Sequence, residues 1–460
     1  MSGNSSHSGS SLDHRLTGIL DDRKSKKRYR SLKVFDDHKS GLVDFSSNDY
    51  LSLTASAELR ANFVARIAKA PLFLGSTGSR LLSGASPSHS ALEQRFADFF
   101  HAPSALLFNS GWDANVSFFS TIPQPGDWVV FDELVHASVH SGLRASRVHP
   151  DHRIAFDHND SESLGKVLDR ISSSPAASSH KGPVVFLALE SLYSMDGDMA
   201  PLQTFLDVLD KYVPRSRQCI VLDEAHSTGV YGPRGRGVAY ALGEEGGWEE
   251  PNMSQGAGRI GVRLMTFGKA VGCSGAVLLC SPTIRSFLIN FARPFIFSTA
   301  LPHSSLHALE AAFDIIQSKD GETRRQKLFA LCRHLHAQLD ALLETCPRNL
   351  LRLPPRPPSV SNPGSENADM SSITPIIGLI TPNPHALSAF LLEKGFIVRP
   401  VVPPTVPPGS ERIRLCLRSD IPHSVVDDLS AALKEWINQK QGSERYGSIV
   451  GSSVFAKAKL

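Results

Sequence analysis

The 460-residue sequence lacks the features that would assign it to a membrane, a secretory route or a nucleic acid. No apolar run approaches the roughly 20 residues of a membrane-spanning helix, which excludes a helical membrane protein. Residues 1–12 are polar and rich in Ser and Gly, without the apolar segment of a secretory signal. The 48 Lys and Arg residues are nearly balanced by 45 Asp and Glu residues, so the net charge of +3 gives no basic field for nucleic acid.

Cysteine is scarce, and its positions show no paired spacing of the kind that binds zinc. Several of the cysteines lie inside apolar runs, so we expect reduced, buried thiols in an intracellular protein and no metal site. The six are Cys219, Cys273, Cys280, Cys332, Cys346 and Cys416.

The nucleotide-binding P-loop motif is also absent, and this absence decides how one other motif is interpreted. The stretch from Asp223 to His226 reads Asp-Glu-Ala-His, which is the acidic box of nucleic-acid helicases. Such a helicase needs an upstream Gly-x-x-x-x-Gly-Lys-Ser/Thr loop, and the sequence contains none. A helicase function is therefore excluded, and the motif needs another explanation.

The most informative residue present is a single lysine among apolar and small side chains. Lys269 lies in residues 264–276, which read LMTFGKAVGCSGA. A lysine that is buried without a partner tends to lose its proton, because burying the charge costs several kcal/mol. The neutral amine is a nucleophile toward carbonyl compounds. Alternatively, Lys269 lies at a strand end and reaches solvent over small residues.

The Asp223 motif adds a carboxylate and an imidazole to this lysine. Residues 219–223 form an apolar, β-branched run that predicts a buried parallel strand ending at Asp223. In open α/β sheets, ligands bind at the carboxyl ends of strands. An Asp at such an end, with His226 nearby and a lysine downstream, suits a pyridinium cofactor. The Asp would keep the ring nitrogen protonated, and Lys269 would hold the aldehyde.

Together with further motifs, these stretches resemble the α-oxoamine synthases, which are pyridoxal-phosphate enzymes, and most closely the branch of 8-amino-7-oxononanoate synthases in biotin biosynthesis. The similarity extends from about residue 44 to about residue 436. The motifs are residues 45–51, 75–80, 194–198, 223–226, 266–269, 297–302 and 404–407, with Arg412 and Arg414 after them.

The resemblance implies an α/β fold of the aspartate aminotransferase type, called fold type I. We expect a large, mostly parallel sheet domain and a smaller α+β domain at the C-terminus. The predicted boundaries are a lead-in segment 1–52, a large cofactor-binding domain 53–302, a small domain 303–438 and a flexible tail 439–460. Two stretches, 240–259 and 354–372, depart from the compact family pattern and carry no catalytic signature.

The resemblance also implies pyridoxal 5'-phosphate as the cofactor and no metal. Lys269, His136, Asp223 and His226 are the predicted catalytic residues. The predicted cofactor-binding residues are Gly111, Trp112, His136, Glu190, Ser194, Asp223, His226, Thr266, Lys269 and Thr299. Of these, Gly111 begins a predicted helix whose N–H groups would face the phosphate. Thr299 would reach the phosphate of a neighbouring subunit in a homodimer.

The implied reaction joins L-alanine to pimeloyl-CoA, or to a pimeloyl carrier-protein thioester, with release of carbon dioxide. The predicted substrate-binding residues are Arg30, Asn48, His136, Thr405 and Arg414. Alternatives remain for several of them. Arg28 lies two residues from Arg30 in the same charged stretch, which is also typical of a solvated helix face. Arg414 would be a surface residue if its strand were exposed. His136 and His140 have the spacing of a helical metal pair but no evident third ligand.

Two other functions remain open on the sequence. An α-oxoamine synthase of a secondary-metabolite pathway would carry nearly the same motifs. A non-catalytic paralogue is disfavoured by the joint presence of His136, Asp223, His226 and Lys269. For location, the ending Ala458-Lys459-Leu460 is a variant of the Ser-Lys-Leu address, which predicts binding to the peroxisomal import receptor, with the cytoplasm as the alternative.

Overall fold

A computed structural model of the chain describes residues 10–26, 28–32, 34–35, 41–174, 182–246, 258–355 and 373–456, with side chains described as far as residue 442. The helices are α1 Ser11–Ser25, α2 Ala57–Lys69, α3 Pro87–Phe99, α4 Gly111–Thr121, α5 Ala137–Ala145, α6 Ser161–Ser172, α7 Leu202–Tyr212, α8 Val238–Ala241, α9 Pro282–Phe291, α10 Arg293–Phe297, α11 His303–Gln317, α12 Lys319–Glu344, α13 Pro384–Glu393 and α14 His423–Ala456. The strands are β1 Val43–Asp44, β2 Ser104–Phe108, β3 Trp128–Asp132, β4 Arg153–Phe156, β5 Val185–Glu190, β6 Gln218–Asp223, β7 Val262–Thr266, β8 Ala276–Cys280, β9 Ile376–Ile380, β10 Phe396–Ile397, β11 Arg399–Val401 and β12 Arg412–Cys416.

The large domain is built on a seven-stranded sheet with the order β2-β8-β7-β6-β5-β3-β4. Strands β4, β3, β5, β6 and β7 run parallel to one another, whereas β8 runs antiparallel to both β7 and β2. The predicted fold class, a large and mostly parallel sheet with a smaller second domain, is confirmed.

Alternating side chains of this sheet enter two separate cores. On β5, Phe186 and Ala188 pack in one core, while Leu187 and Leu189 pack in the other. Successive residues of a strand point to opposite faces, so a strand that is buried on both faces must be apolar throughout. The uninterrupted apolar runs of the sequence therefore correctly predict central strands.

The helices of the large domain begin where the sequence supplies caps. Ser86 caps α3, whose first residue is Pro87, and Ser110 caps α4 by accepting a hydrogen bond from the Asp113 N–H. A capping hydroxyl satisfies one of the free N–H groups at a helix start, and proline fits the first helical position. The predicted helix that begins at Gly111 is confirmed.

The small domain contains a three-stranded antiparallel sheet with the order β11-β12-β9. Part of the lead-in segment belongs to this region, because β1 pairs in parallel with β10. The Phe45 carbonyl also accepts a hydrogen bond from the Cys416 N–H. Residues 43–50 are thereby attached to β12, and this attachment brings Asn48 and Tyr50 beside the C-terminal strand.

The C-terminal helix α14 continues to Ala456, beyond the start of the predicted tail at residue 439. Gln439 donates a hydrogen bond to Glu435 one turn earlier, which shows the helix passing that boundary. The tripeptide Ala458-Lys459-Leu460 and most of the two unusual stretches lie outside the described residues. Within the described ranges, no helix combines the length and the apolar character needed to cross a membrane.

Candidate active site

The carboxyl ends of three neighbouring strands bring the central site residues together. Glu190 ends β5, Asp223 ends β6 and Thr266 ends β7, and Glu190 is paired directly with Asp223 across the two strands. They line a cavity of about 390 Å³. Most of the predicted site residues line it, namely Asn48, Gly111, Trp112, His136, Glu190, Asp223, His226, Thr266 and Lys269.

Lys269 lies three residues beyond β7 and remains partly accessible from the cavity. The pKa of its amine is lowered to about 8, chiefly by burial and to a smaller extent by the positive charge of Arg414, while Asp223 and Glu190 act in the opposite direction. These surroundings favour the interpretation of Lys269 as a buried amine over that of a solvated strand-end lysine. At mildly alkaline pH much of the amine is neutral and nucleophilic.

Asp223 is held by two donors that fix the orientation of its carboxylate. Asn115 Nδ2 donates to Oδ2 at 2.8 Å, and the Ala225 N–H donates to Oδ1 at 2.9 Å. Asn115 also donates to the Ser138 hydroxyl at 3.0 Å. Asn115 was not predicted from the sequence, although it follows Gly111 by four residues on α4 and therefore lies on the same helix face.

Glu190 and His226 are both buried ionisable groups whose neutral forms are favoured. Burial raises the pKa of the Glu190 carboxyl well above its usual range, Asp223 raises it further, and Lys269 partly offsets the rise. Burial likewise lowers the pKa of His226 well below its usual value, with Lys269 and Arg414 adding to the effect. The site therefore contains a carboxyl group and an imidazole whose neutral forms are both favoured, and such shifted groups are typical of active sites.

His136 caps helix α5 and faces the cavity. Its Nδ1 lies 2.7 Å from the Ser138 hydroxyl, and its ring meets the Trp112 indole edge-on with centroids 5.9 Å apart. Burial lowers the pKa of His136; Asp223 opposes this shift and Lys269 reinforces it. In the described part of the chain, no group of three or more potential metal ligands includes His136 or His140.

Gly111, Ser110 and Thr266 form a cradle at the start of α4. The first N–H groups of a helix have no partner within it, so they are free to bind an anion. A Cβ at Gly111 would lie 2.5 Å from Thr266 Cγ2, so only glycine lets the helix start approach β7 this closely. Among the residues that the structure describes, none forms a hydrogen bond with the buried Thr266 hydroxyl. An unsatisfied hydroxyl beside the free N–H groups at the start of α4 fits the phosphate of pyridoxal phosphate.

Two of the remaining predicted residues meet at the boundary between the domains. Arg414, on β12, donates from Nε to the Ser194 carbonyl at 2.5 Å and from Nη2 to Asn48 Oδ1 at 3.0 Å. Arg414 is only partly exposed and is held by two acceptors, so it is not a free surface residue. Ser194 contributes its carbonyl here, and its side chain is not among those lining the cavity.

Thr299, Arg30 and Thr405 are exposed and do not line the cavity. Thr299 lies in a small separate pocket with Arg80 and His89, and its carbonyl accepts a hydrogen bond from Asn109 Nδ2 at 2.7 Å. The predicted contacts of these three residues with substrate or with a second subunit remain predictions.

The structure also adds Tyr50 and Cys416 to the site. The Tyr50 hydroxyl lies 2.7 Å from His226 Nδ1, and the Cys416 thiol lies 3.7 Å from Asn48 Oδ1. Tyr50 stands inside the predicted 45–51 motif, so the motif itself pointed to the region but not to this contact.

Comparison with known proteins agrees with this arrangement. The sequence profile of the aminotransferase class I and II family matches residues 40–433. This chain belongs to that family. Its fold and its relatives also confirm the predicted resemblance to the α-oxoamine synthases.

Relatives within this aminotransferase family carry two kinds of name. The 8-amino-7-oxononanoate synthase of Emericella nidulans is 39% identical over 431 residues, which cover 93% of this chain and 96% of that protein. The aminoacyl transferase sphA of Aspergillus fumigatus is 32% identical over 410 residues, covering 88% of this chain and 83% of that protein.

Solved structures share the fold of the chain. The serine palmitoyltransferase of Sphingomonas wittichii has a TM-score of 0.72 at 24% identity, covering 94% of this chain and 98% of that one. The 8-amino-7-oxononanoate synthase of Francisella tularensis has a TM-score of 0.64 at 24% identity, covering 88% and 100%.

Proposed function

We propose that this chain is a pyridoxal-phosphate-dependent acyltransferase that condenses L-alanine with a pimeloyl thioester and releases carbon dioxide, giving 8-amino-7-oxononanoate. The observation that carries the proposal is the meeting of Lys269, Asp223 and the orphaned Thr266 hydroxyl in one cavity. The choice of alanine and pimeloyl thioester is supported by the 39% identical synthase from Emericella nidulans.

The residues of the chain divide the work of holding the cofactor. Lys269 would hold its aldehyde carbon, Asp223 its ring nitrogen, and Gly111 with Thr266 its phosphate. When bound, pyridoxal phosphate supplies an aldehyde that takes up the amino acid and a protonated ring that accepts electrons from its α-carbon. Asn115 keeps the Asp223 carboxylate oriented for this contact.

Lys269 would also have a second role, as a base. Its free amine removes the α-proton of alanine, and a pKa of about 8 suits a base working near neutral pH. The α-carbon then forms a bond to the thioester carbonyl carbon, the carbon–sulfur bond breaks and the thiol departs. The carboxylate that came from alanine leaves as carbon dioxide, and a proton replaces it.

Orientation of the substrate is assigned to the residues at the cavity edge. Arg414 offers a planar guanidinium that suits a carboxylate, and Asn48 lies between it and the cavity. His136, at the open side, can donate to the carboxylate or to the oxyanion that develops on the thioester oxygen.

To test the proposal, the purified chain is loaded with cofactor and incubated with pimeloyl-CoA or with pimeloyl carrier protein. Each incubation also contains alanine, glycine or serine. Thiol release and carbon dioxide release should occur in equal amounts and require alanine, and mass spectrometry should identify 8-amino-7-oxononanoate. A preference for glycine or serine, or for another acyl chain, would instead support a synthase of a secondary-metabolite pathway. The 32% identical aminoacyl transferase of Aspergillus fumigatus favours that second candidate.

A non-catalytic paralogue is tested by reduction. Borohydride should fix the cofactor covalently on Lys269, and digestion should locate the added mass on the peptide that contains residue 269. If the peptide stays unmodified after incubation with excess cofactor, the chain is a non-catalytic paralogue with the fold of an enzyme.

The assembly and the location are further parts of the proposal. A homodimer would bring Thr299 to the phosphate of the partner subunit, and the exposed Phe297 next to this segment supports a covered surface there. Sedimentation should give a mass near twice 49.9 kDa. For the peroxisomal address, a tagged chain without Lys459 and Leu460 should disperse into the cytosol, and unchanged punctate staining would contradict it.

A further inference from the structure

A buried tyrosine joins the candidate substrate arginine to the candidate cofactor histidine. Tyr50 is fully buried, and its hydroxyl oxygen lies 2.7 Å from His226 Nδ1 and 3.1 Å from Asn48 Oδ1. Asn48 in turn accepts a hydrogen bond from Arg414 Nη2 at 3.0 Å. The four side chains form a continuous polar chain from strand β12 to the loop after β6.

The donors and acceptors among these four side chains show where the Tyr50 proton can go. A buried phenol keeps its proton, and Tyr50 has only one to donate. Asn48 Oδ1 has two lone pairs, and two other donors already point at it: Arg414 Nη2 at 3.0 Å and the Cys416 thiol at 3.7 Å. The Tyr50 proton can go to Asn48 Oδ1 at 3.1 Å or, when Nδ1 is unprotonated, to His226 Nδ1 at 2.7 Å; the shorter separation and the donors already at Asn48 favour Nδ1.

His226 is neutral in this environment, because burial lowers its pKa well below the usual value. A neutral imidazole has one protonated and one unprotonated nitrogen, and the hydrogen bond made by one nitrogen selects the state of the other. Nδ1 is turned toward Tyr50, and the ring lines the cavity, so Nε2 is the nitrogen available to a ligand.

We propose that Tyr50 is a positioning residue that donates to His226 Nδ1 and thereby fixes His226 as the tautomer with a proton on Nε2. The cavity then contains a fixed N–H donor beside Lys269 and Asp223. Such a donor suits the electron-rich ring oxygen of pyridoxal phosphate. This inference deepens the proposed function and rests on it for the identity of that ligand.

The tautomer can be read directly by nitrogen NMR of the full chain labelled with ¹⁵N-histidine and loaded with cofactor. The His226→Gln variant assigns the signals, because only those of His226 disappear. The expected result is an unprotonated Nδ1 and a protonated Nε2 in the wild type, and a shift toward the other tautomer in Tyr50→Phe. A protonated Nδ1 in the wild type would overturn the proposal.

A double-mutant cycle tests whether Tyr50 acts through His226. Tyr50→Phe should shift the visible absorbance of the bound cofactor and lower kcat about tenfold, as expected for loss of one oriented hydrogen bond. Tyr231→Phe is the matched control, because Tyr231 is equally buried and its hydroxyl forms no hydrogen bond within the described part of the chain. Both readouts should stay at the wild-type value.

In the His226→Gln background, Tyr50→Phe should have no further effect on the absorbance. Additive changes there would show that Tyr50 acts by packing alone and would contradict the proposal. Failure of the proposed function has a different signature: the wild type would bind no cofactor, or would not use alanine, while the NMR measurement would still report the tautomer in the full chain.

Discussion

At the scale of single residues, the environment of Lys269 makes loading of the cofactor dependent on pH. Burial lowers the pKa of this amine to about 8, so its neutral fraction rises as the pH passes through that value. We expect the rate at which the cofactor-free chain forms a borohydride-reducible adduct to rise up to about pH 8 and to level off above it. A free lysine amine, with a pKa of roughly 10.4, should keep gaining rate to higher pH.

The measurement is a series of timed borohydride quenches between pH 6 and 10, with Lys269→Arg as the variant that cannot form the adduct. A rate that is still climbing at pH 10 would mean that the amine is solvated in the cofactor-free chain.

The Thr266 hydroxyl offers a second test at this scale, because nothing in the described protein bonds to it. Thr266→Val keeps the shape and removes only the hydroxyl, so we expect the free energy of unfolding of the cofactor-free chain to stay the same or rise. The dissociation constant of the cofactor should increase about tenfold, because one hydrogen bond to a charged phosphate is lost, roughly 1.5 kcal/mol.

The control for Thr266 is Thr228→Val. The buried Thr228 hydroxyl donates to the Glu224 carbonyl at 2.7 Å, so this variant should lose about 1–3 kcal/mol of stability and keep the cofactor affinity. Equal losses of stability in the two variants would show that Thr266 is a structural hydroxyl.

Residues of the site were predictable from the sequence when a local pattern marked them. Asp223 ends an apolar run, Lys269 interrupts one, and Gly111 follows one at a helix start. Tyr50 and Asn115 were not predictable, because their partners lie 176 and 108 residues away in the chain. A contact between distant segments depends on the tertiary fold and leaves no periodic signal in either segment.

At the scale of elements, a partly buried histidine pairs with two carboxylates and joins two segments at the edge of the sheet. His158, which follows β4, donates from Nδ1 to Asp132 at the end of β3 and from Nε2 to Asp198, each at 2.9 Å. Burial alone would lower the pKa of His158, but the two carboxylates outweigh it and raise the pKa to about 10.

This pair predicts a pH dependence of stability. The folded pKa of His158 lies above the unfolded value of roughly 6.5, so its stabilisation is complete below pH 6.5 and is lost as the pH rises through 10. His158→Gln should lower the free energy of unfolding by about 3 kcal/mol at pH 6, and the deficit should shrink toward pH 10. Denaturant unfolding at pH 6, 8 and 10 measures it.

His152→Gln serves as the comparison, because His152 stacks on Trp128 and bonds the Asp127 carbonyl rather than a carboxylate. A deficit for His158→Gln that is the same at every pH would show that shape, and not charge, holds the two loops.

Elements were predictable to different degrees. The apolar strand that ends at Asp223 and the helix that begins at Gly111 follow from short-range physics, and both occur where the sequence predicts them. The pairing of β1 with β10 does not, because each is two residues long and their pairing needs the large domain to position both. The antiparallel direction of β8 is likewise set by the tight turn after Lys269 and not by its composition.

At the scale of the whole molecule, the two domains meet at the loop of residues 194–198. Its carbonyl groups accept hydrogen bonds from small-domain side chains: Ser194 from Arg414, Met195 from Arg412, and Gly197 from the Thr374 hydroxyl. Arg412 also pairs with Asp196. The same loop ends at Asp198, which is bound to His158 of the large domain. The 194–198 loop is therefore one of the two connections that position Arg414 relative to Lys269, the other being the hydrogen bonds through Asn48 and Tyr50 to His226.

Gly197 lies directly against strand β9 of the small domain, and its replacement tests whether the 194–198 loop positions Arg414. It has a φ of +74°, and a Cβ there would overlap the Ile376 carbonyl of β9, so Gly197→Ala must displace the loop from the small domain. We expect the KM for alanine to rise roughly 10- to 100-fold through misplacement of Arg414, with little change in cofactor affinity, because the phosphate cradle and Lys269 belong to the large domain.

Gly409→Ala is the matched control: its φ of +84° carries similar backbone strain, but a Cβ there meets open space, so the KM should be unchanged. Steady-state kinetics and a cofactor titration of both variants separate the outcomes. If the two variants behaved alike, strain within a turn would account for the loss, and the loop would not be what places the arginine.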